Sequence, residues 1–186
     1  RLVVDGEPGP EFDQVGVYLF SPDGDRVAYM AVRKEKGRIV VGEREQGVYD
    51  SVGLPVFSPN GEDMAYRARK GKKWCVVRNG EEGSKFDLVR RPVFSPEGNR
   101  LAFVARQGRK YLVVVDGKVL GEYQWAGALS FSPDGQYLAY AAARKGQSFL
   151  VVDGREGEER FLGFLKGVPL VFVEDNVVQG LAIRDK

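Results

Sequence analysis

Short apolar stretches rich in β-branched and aromatic side chains follow one another closely along the chain, as in Arg100-Leu-Ala-Phe-Val-Ala105 and Lys110-Tyr-Leu-Val-Val-Val115. Between them stand clusters of Gly, Pro, Asp, Lys and Arg, the residues that turn a chain. This punctuation predicts many short strands joined by tight turns, with no long helix.

The strands recur in a fixed register. Phe20-Ser-Pro-Asp-Gly, Phe57-Ser-Pro-Asn-Gly, Phe94-Ser-Pro-Glu-Gly and Phe131-Ser-Pro-Asp-Gly stand 37 residues apart each time. Tyr29, Tyr66, Phe103 and Tyr140 follow in phase, and so do Phe12, Tyr49, Phe86 and Tyr123. Self-similarity at such a period marks a repeat architecture. Each unit reads as four strands. The first ends at the motif Phe, and Ser-Pro-Asp-Gly turns the chain with Pro fixing φ and Gly supplying a positive φ. A second strand, a Lys/Arg/Gly turn, a third strand ending in Asp-Gly and a short fourth strand complete it. Four antiparallel strands in a repeat of this length make one blade of a β-propeller.

The ends suggest how many blades there are. Arg1-Leu-Val-Val-Asp-Gly6 matches Phe149-Leu-Val-Val-Asp-Gly154, a third strand, whereas Gly167-Val-Pro-Leu-Val-Phe172 and Gly180-Leu-Ala-Ile183 read as a first and a second. The expectation is therefore an all-β, five-bladed propeller forming one domain over residues 1–186. Full blades are expected near 15–51, 52–88, 89–125 and 126–165. The fifth blade is shared by 166–186 and 1–14, with Leu2–Val4 bonded beside Gly180–Ile183, so that no edge is left open.

Phe-Ser-Pro-Asp-Gly, an Ala-Tyr or Ala-Phe step, then Val-Val-Asp-Gly resemble the WD-repeat-like propeller repeat of the TolB-type periplasmic propeller. The resemblance covers about four and a half repeats. It implies the fold, partner binding as one of the family's uses, and a periplasmic or secreted setting. Two departures stand out: the TolB propeller has six blades, and the last repeat here, Phe172-Val-Glu-Asp-Asn, lacks Ser, Pro and Gly.

Composition narrows the chemistry. The 186 residues contain no His, which removes serine-histidine and cysteine-histidine catalysis, and one Cys, which excludes an internal disulfide and a cysteine metal cluster. No window is apolar enough for a membrane helix. The first strands, which line a propeller's axis, carry no carboxylate in any repeat, so the acid and base of a propeller glycosidase are missing. Cys75 reads as a buried small hydrophobe. Asp23-Gly24, Asp116-Gly117 and Asp153-Gly154 read as turns and not as calcium loops. No cofactor and no metal are expected.

Charge is nearly balanced, 28 Lys plus Arg against 26 Asp plus Glu, but its placement is not even. The second-to-third turns are basic, as in Arg67-Ala-Arg-Lys-Gly-Lys-Lys73 and Arg106-Gln-Gly-Arg-Lys110. Acidic residues, Glu45, Glu82 and Glu156 among them, are expected on the opposite face. A one-sign face focuses potential toward an opposite partner. Arg90-Arg91 and Trp125 break the repeat symmetry, and Trp74 reads as packing. The reading is a monomeric, non-catalytic binding module whose basic channel mouth, with Arg67, Arg69, Arg90, Arg91, Trp125 and Lys166, takes an acidic protein or peptide segment. Its rivals are a scaffold within a larger envelope or secreted protein, with no ligand of its own, and then a lectin. Nucleic acid ranks below these, because interleaved aromatic stacking platforms are missing. A solvated surface inherited with the repeat would explain the basic turns equally simply.

Overall fold

A computed structural model describes the chain except Asp5 and residues 166–168, 175–176 and 184–186. The described residues contain strands and turns and no helix. They fall into two compact units, Arg1–Pro92 and Val93–Lys186.

In the N-terminal unit, a two-residue pairing of Val3–Val4 with Glu7–Pro8 precedes a four-stranded antiparallel sheet of Gln14–Phe20, Val27–Arg33, Lys36–Val41 and Arg44–Tyr49. The next sheet contains Met64–Lys70, Lys73–Arg78 and Glu81–Glu82. Its first strand is split into Ser51–Val52 and Val56–Phe57, both paired with Met64–Lys70. Pro55 lies in the gap, and a residue without an N–H cannot continue the ladder. The C-terminal unit repeats the plan, first with Val93–Phe94, Leu101–Gln107, Lys110–Val115 and Lys118–Tyr123, then with Trp125–Phe131, Leu138–Arg144, Gln147–Val152 and Arg155–Glu156.

The last repeat departs from its expected form. Gly163–Phe164 pairs with Ala182–Ile183, and Val171–Glu174 pairs with Val177–Gln179, so the second strand begins near Val177 and not at Gly180. Each end pairs within its own unit, and no closed sheet is present among the described residues.

The repeat motif carries more structure than its turn. Gly24, Gly61, Gly98 and Gly135 hold φ of 82°, 75°, 84° and 70°, and each N–H closes the turn onto the motif Ser carbonyl at 2.8–2.9 Å. The serines are buried, and their hydroxyls are the pins of the turn. Each Oγ accepts the backbone N–H five residues on, at 2.9 Å for Ser21, 2.8 Å for Ser58, 3.1 Å for Ser95 and 2.9 Å for Ser132. Ser58 and Ser132 also donate to Asn60 and Asp134 at 2.6 and 2.5 Å. Where Glu97 replaces the short acid, Ser95 turns instead to Asn99 at 3.0 Å. The third-strand turns are held similarly. Asn79, Asp116 and Asp153 adopt φ of 46–51°, and their Oδ1 atoms accept the N–H of Met64, Leu101 and Leu138 at 2.8–2.9 Å.

The aromatic columns are core. Phe12 meets Tyr29, Tyr49 meets Tyr66 and Tyr123 meets Tyr140 edge to face, with centroids 6.2, 6.1 and 5.8 Å apart. Each pair joins the end of one repeat to the second strand of the next, and Tyr49 and Tyr123, at the ends of fourth strands, thereby wedge adjacent sheets together. The second strands are buried almost throughout; Leu138-Ala-Tyr-Ala-Ala142 is wholly shielded from solvent. Its alanines let neighbouring sheets approach closely while Tyr140 fills the remaining volume.

Candidate basic cleft of the N-terminal unit

Arg67 and Arg69 sit two apart on the strand Met64–Lys70 and so point to one side of the sheet. Trp74 on the neighbouring strand lies directly across from Arg69. The guanidinium carbons of Arg67 and Arg69 stand 5.0 and 5.9 Å from the Trp74 ring centroid, within cation–π range. Trp74 is itself held by two backbone hydrogen bonds exchanged with Phe86, at 2.8 Å each.

Arg67 is fixed from three sides. Its Nη1 donates to the Val89 carbonyl at 3.2 Å, its ring-stacked face is covered by Trp74, and its stem lies on buried Gly53. A Cβ on Gly53 would come within 2.6 Å of Arg67 Cγ, so only glycine leaves room for the side chain to lie flat there. Arg90 and Arg91 follow in an irregular stretch that ends at Pro92, whose ring keeps Arg91 extended. Arg67, Arg90, Arg91 and Leu54 line a cavity of about 300 Å³. Its described lining includes no carboxylate.

Comparison of equivalent repeat positions shows how unusual this cluster is. The position of Arg67 holds Met30, Val104 and Ala141 in the other repeats; that of Arg90 holds Gly16, Gly53 and Gly127; that of Arg91 holds Val17, Leu54 and Ala128. Three cations therefore replace apolar or glycine positions of the unit, and copying of one ancestral repeat does not supply them. The columns were legible in the sequence. Leu54 and Gly53 were not, because nothing in their spacing shows that Leu54 lines a cavity with the three arginines or that Gly53 lies against Arg67.

The remaining expected site residues are dispersed. Arg69 shares the Trp74 face and donates to the Gly71 carbonyl at 3.0 Å, outside the cavity lining. Trp125 is half-buried and opens the strand Trp125–Phe131 of the C-terminal unit, opposite Ala143, so it belongs to a first strand and not to an inter-repeat segment. Lys166 lies outside the described residues.

The expected separation of charge into two faces is corrected by the ion pairs. Glu45 and Glu156, assigned to the acidic face, meet Arg33 and Arg144 of the basic turns at 2.8 and 2.5 Å, and Glu82 meets Lys70 likewise. Lys36, Lys73 and Lys110 pair with Asp50, Asp87 and Glu122 at 2.5, 2.7 and 2.6 Å. The fourth-strand and linking carboxylates fold back over the turns because pairing is the cheapest place for an acid beside a row of cations. Exposed bridges of this kind contribute only about 0–1 kcal/mol each, but they cancel much of the basic field. The described lining of the Arg67–Arg90–Arg91 cleft, by contrast, contains no acidic residue.

These pairs set an acid limit to stability. The hydrogen bond from Lys36 lowers the Asp50 carboxyl and that from Lys70 lowers Glu82; burial raises Asp63, but hydrogen bonds from Arg78 and Asn79 outweigh it and leave it lowered. A folded carboxyl below its unfolded value stabilises above about pH 4 and loses that contribution as pH falls. Burial raises Tyr66 and Tyr140, whose contribution is lost at alkaline pH above about 10. With no His in the chain, the melting temperature is expected to be flat between about pH 5 and 8 and to fall below about pH 4. A slope near pH 6.5 in a calorimetric series would contradict this account.

Larger cavities occur elsewhere among the described residues. One of about 490 Å³ in the N-terminal unit has both signs of charge, with Asp25, Arg26, Glu43 and Arg44 in its lining, and one of about 670 Å³ in the C-terminal unit is mainly apolar. Neither gathers charge of one sign. Among the described residues no cluster of acidic or cysteine side chains could hold a metal ion, and no helix is long and apolar enough to cross a membrane.

No protein-family model matches the sequence, and no curated protein matches it. Solved structures do. The β-propeller domain of the Trilobed protease from Pyrococcus furiosus, described as having an open velcro topology, is similar at a TM-score of 0.57 with 13% identity, over 87% of this chain and 60% of that one. A eukaryotic initiation factor is similar at 0.50 with 16% identity, over 88% of this chain and 49% of the other. TolB from Acinetobacter baumannii is similar at 0.36 with 20% identity, over 80% of this chain and 55% of TolB. The chain thus spans about half to three fifths of the length of the structures it matches. The first of these likenesses, together with the four-stranded antiparallel sheets, shows that the chain has a β-propeller fold.

Proposed function

We propose that the chain is a non-catalytic binding module that takes an acidic protein or peptide segment in the cleft of Arg67, Arg90 and Arg91. The observation that carries this is the cavity of about 300 Å³ whose lining joins three arginines to Leu54, at positions where the other repeats have apolar or glycine residues. Guanidinium groups present several donors in a fixed fork that matches a carboxylate. Arg67, already ordered by Trp74, Gly53 and Val89, loses little further freedom on binding, which favours affinity.

The test is a titration of a fluorescent Asp/Glu-rich peptide at low and high salt. Exposed charges attract over a Debye length of about 10 Å at 0.1 M and about 3 Å at 1 M, so affinity is expected to fall steeply across that range. Arg90→Glu with Arg91→Glu should weaken binding at least tenfold, whereas Lys118→Glu, on a strand of the C-terminal unit, should leave it nearly unchanged. Equal loss from both would make the attraction a matter of net charge and remove the cleft from consideration.

The repeat count supports a finer reading in which the chain is a single five-bladed domain, residues 1–14 and 166–186 supplying one blade together, and acts as a monomer. Deletion of residues 1–6 then lowers the melting temperature; an unchanged value would end the shared-blade reading. The paired basic turns favour a second functional reading, a scaffold without a ligand, under which no acidic peptide binds.

A further inference from the structure

We infer that the cleft selects an acidic residue followed two positions later by an aliphatic one, the carboxylate held by the arginines and the aliphatic side chain resting on Leu54. This deepens the acidic-segment reading and rests on it. Leu54 is 39% exposed although it is a large aliphatic residue, and among the described residues it shares the cavity with Arg67, Arg90 and Arg91.

Leu54 and Arg91 are equivalent residues of adjacent repeats, 37 positions apart, and each precedes a proline, Pro55 or Pro92. Both backbones are therefore held extended, and the lining pairs one apolar side chain with cations by construction. A purely ionic ligand would leave Leu54 in contact with solvated carboxylates. An apolar neighbour on the ligand removes Leu54 and itself from water together. In an extended peptide, residues i and i+2 point to the same side, whereas i+1 points away, so the spacing acid-x-aliphatic presents both groups to the cleft at once. A cavity of about 300 Å³ is at the small end of binding pockets. It has room for such a pair of side chains and not for a folded surface.

The experiment uses the full chain and C-terminally amidated fluorescent peptides of equal length and equal charge, so that every carboxylate is a side chain. One has Leu two residues after each Glu, one has Ser there, and one has the same composition with Leu directly after Glu. Anisotropy titration is expected to give about fivefold tighter binding for the Glu-x-Leu peptide than for the other two, the scale of one partly buried aliphatic side chain. The ratio should survive 1 M salt and collapse to near one for Leu54→Ser, whose exposed position makes it safe for folding. Equal affinity of the three peptides for the unaltered chain, or a ratio that persists in Leu54→Ser, overturns this inference and leaves the acidic-segment reading standing. Binding of none of them overturns both.

Discussion

Tyr140→Ala is expected to destabilise the C-terminal unit by about 3–5 kcal/mol, the range for deleting a large buried aromatic side chain. Tyr140 is fully shielded, and belongs to one cluster with Leu138, Phe149, Val151 and Tyr123. Its ring meets Tyr123 at 5.8 Å, and the two hydroxyls are 2.9 Å apart. Truncation therefore opens a void between two sheets and also leaves the Tyr123 hydroxyl without this partner, two costs that add because close-packed neighbours relax only partly. Tyr140→Phe separates the two. It keeps the wedge and loses the hydroxyl contact, at about 1 kcal/mol. Urea unfolding of both variants checks this; a Tyr140→Ala loss no greater than that of Tyr140→Phe would mean that the column is not what joins the sheets.

Gly98→Val is the second large effect. Gly98 holds φ of 84° and is buried, with its N–H bonded to the Ser95 carbonyl at 2.9 Å. A residue with a Cβ in this region costs about 1–2 kcal/mol, a β-branched one more, and a buried position adds overpacking of about 1–3 kcal/mol. A total of about 2 kcal/mol or more is expected from these two effects together. Glu97→Ala should be nearly silent, since Glu97 is exposed and offers the turn only a 3.2 Å contact from Asn99. Comparable losses from the two variants would move the source of turn stability from the backbone to the acidic side chain.

Internal repetition made much of the fold legible from the sequence. Because each column recurs every 37 residues, chance agreement is averaged away, and the Ser-Pro-Asp-Gly glycines, the aromatic wedges and the third strands are found where the columns place them. The role of the serines was not legible: a hydroxyl has no pattern of its own, and only the fold shows that it faces a backbone N–H five residues away.

The last repeat could not be read this well, since it lacks the Ser, Pro and Gly that mark a turn. Its strands are displaced by several residues from their expected places. Charge was the least legible feature. Sequence position assigns a residue to a turn or a strand, but a Lys or Arg side chain reaches several ångströms from its backbone, so strand alternation did not reveal that Glu45, Glu82 and Glu156 cover the basic turns.

The candidate site divides in the same way. By itself the sequence determined that the chain is all-β and repetitive, that it lacks histidine chemistry, and that Arg90 and Arg91 break the repeat, because these follow from residue type and period alone. Only the tertiary structure decided that, of the residues expected with them, Arg67 lines one cavity with Arg90 and Arg91, that Leu54 shares that lining while Gly53 lies against Arg67, and that Trp125 does not share their unit. Which side chains converge depends on strand pairing and on the space left by a missing Cβ, and neither quantity is local in the chain.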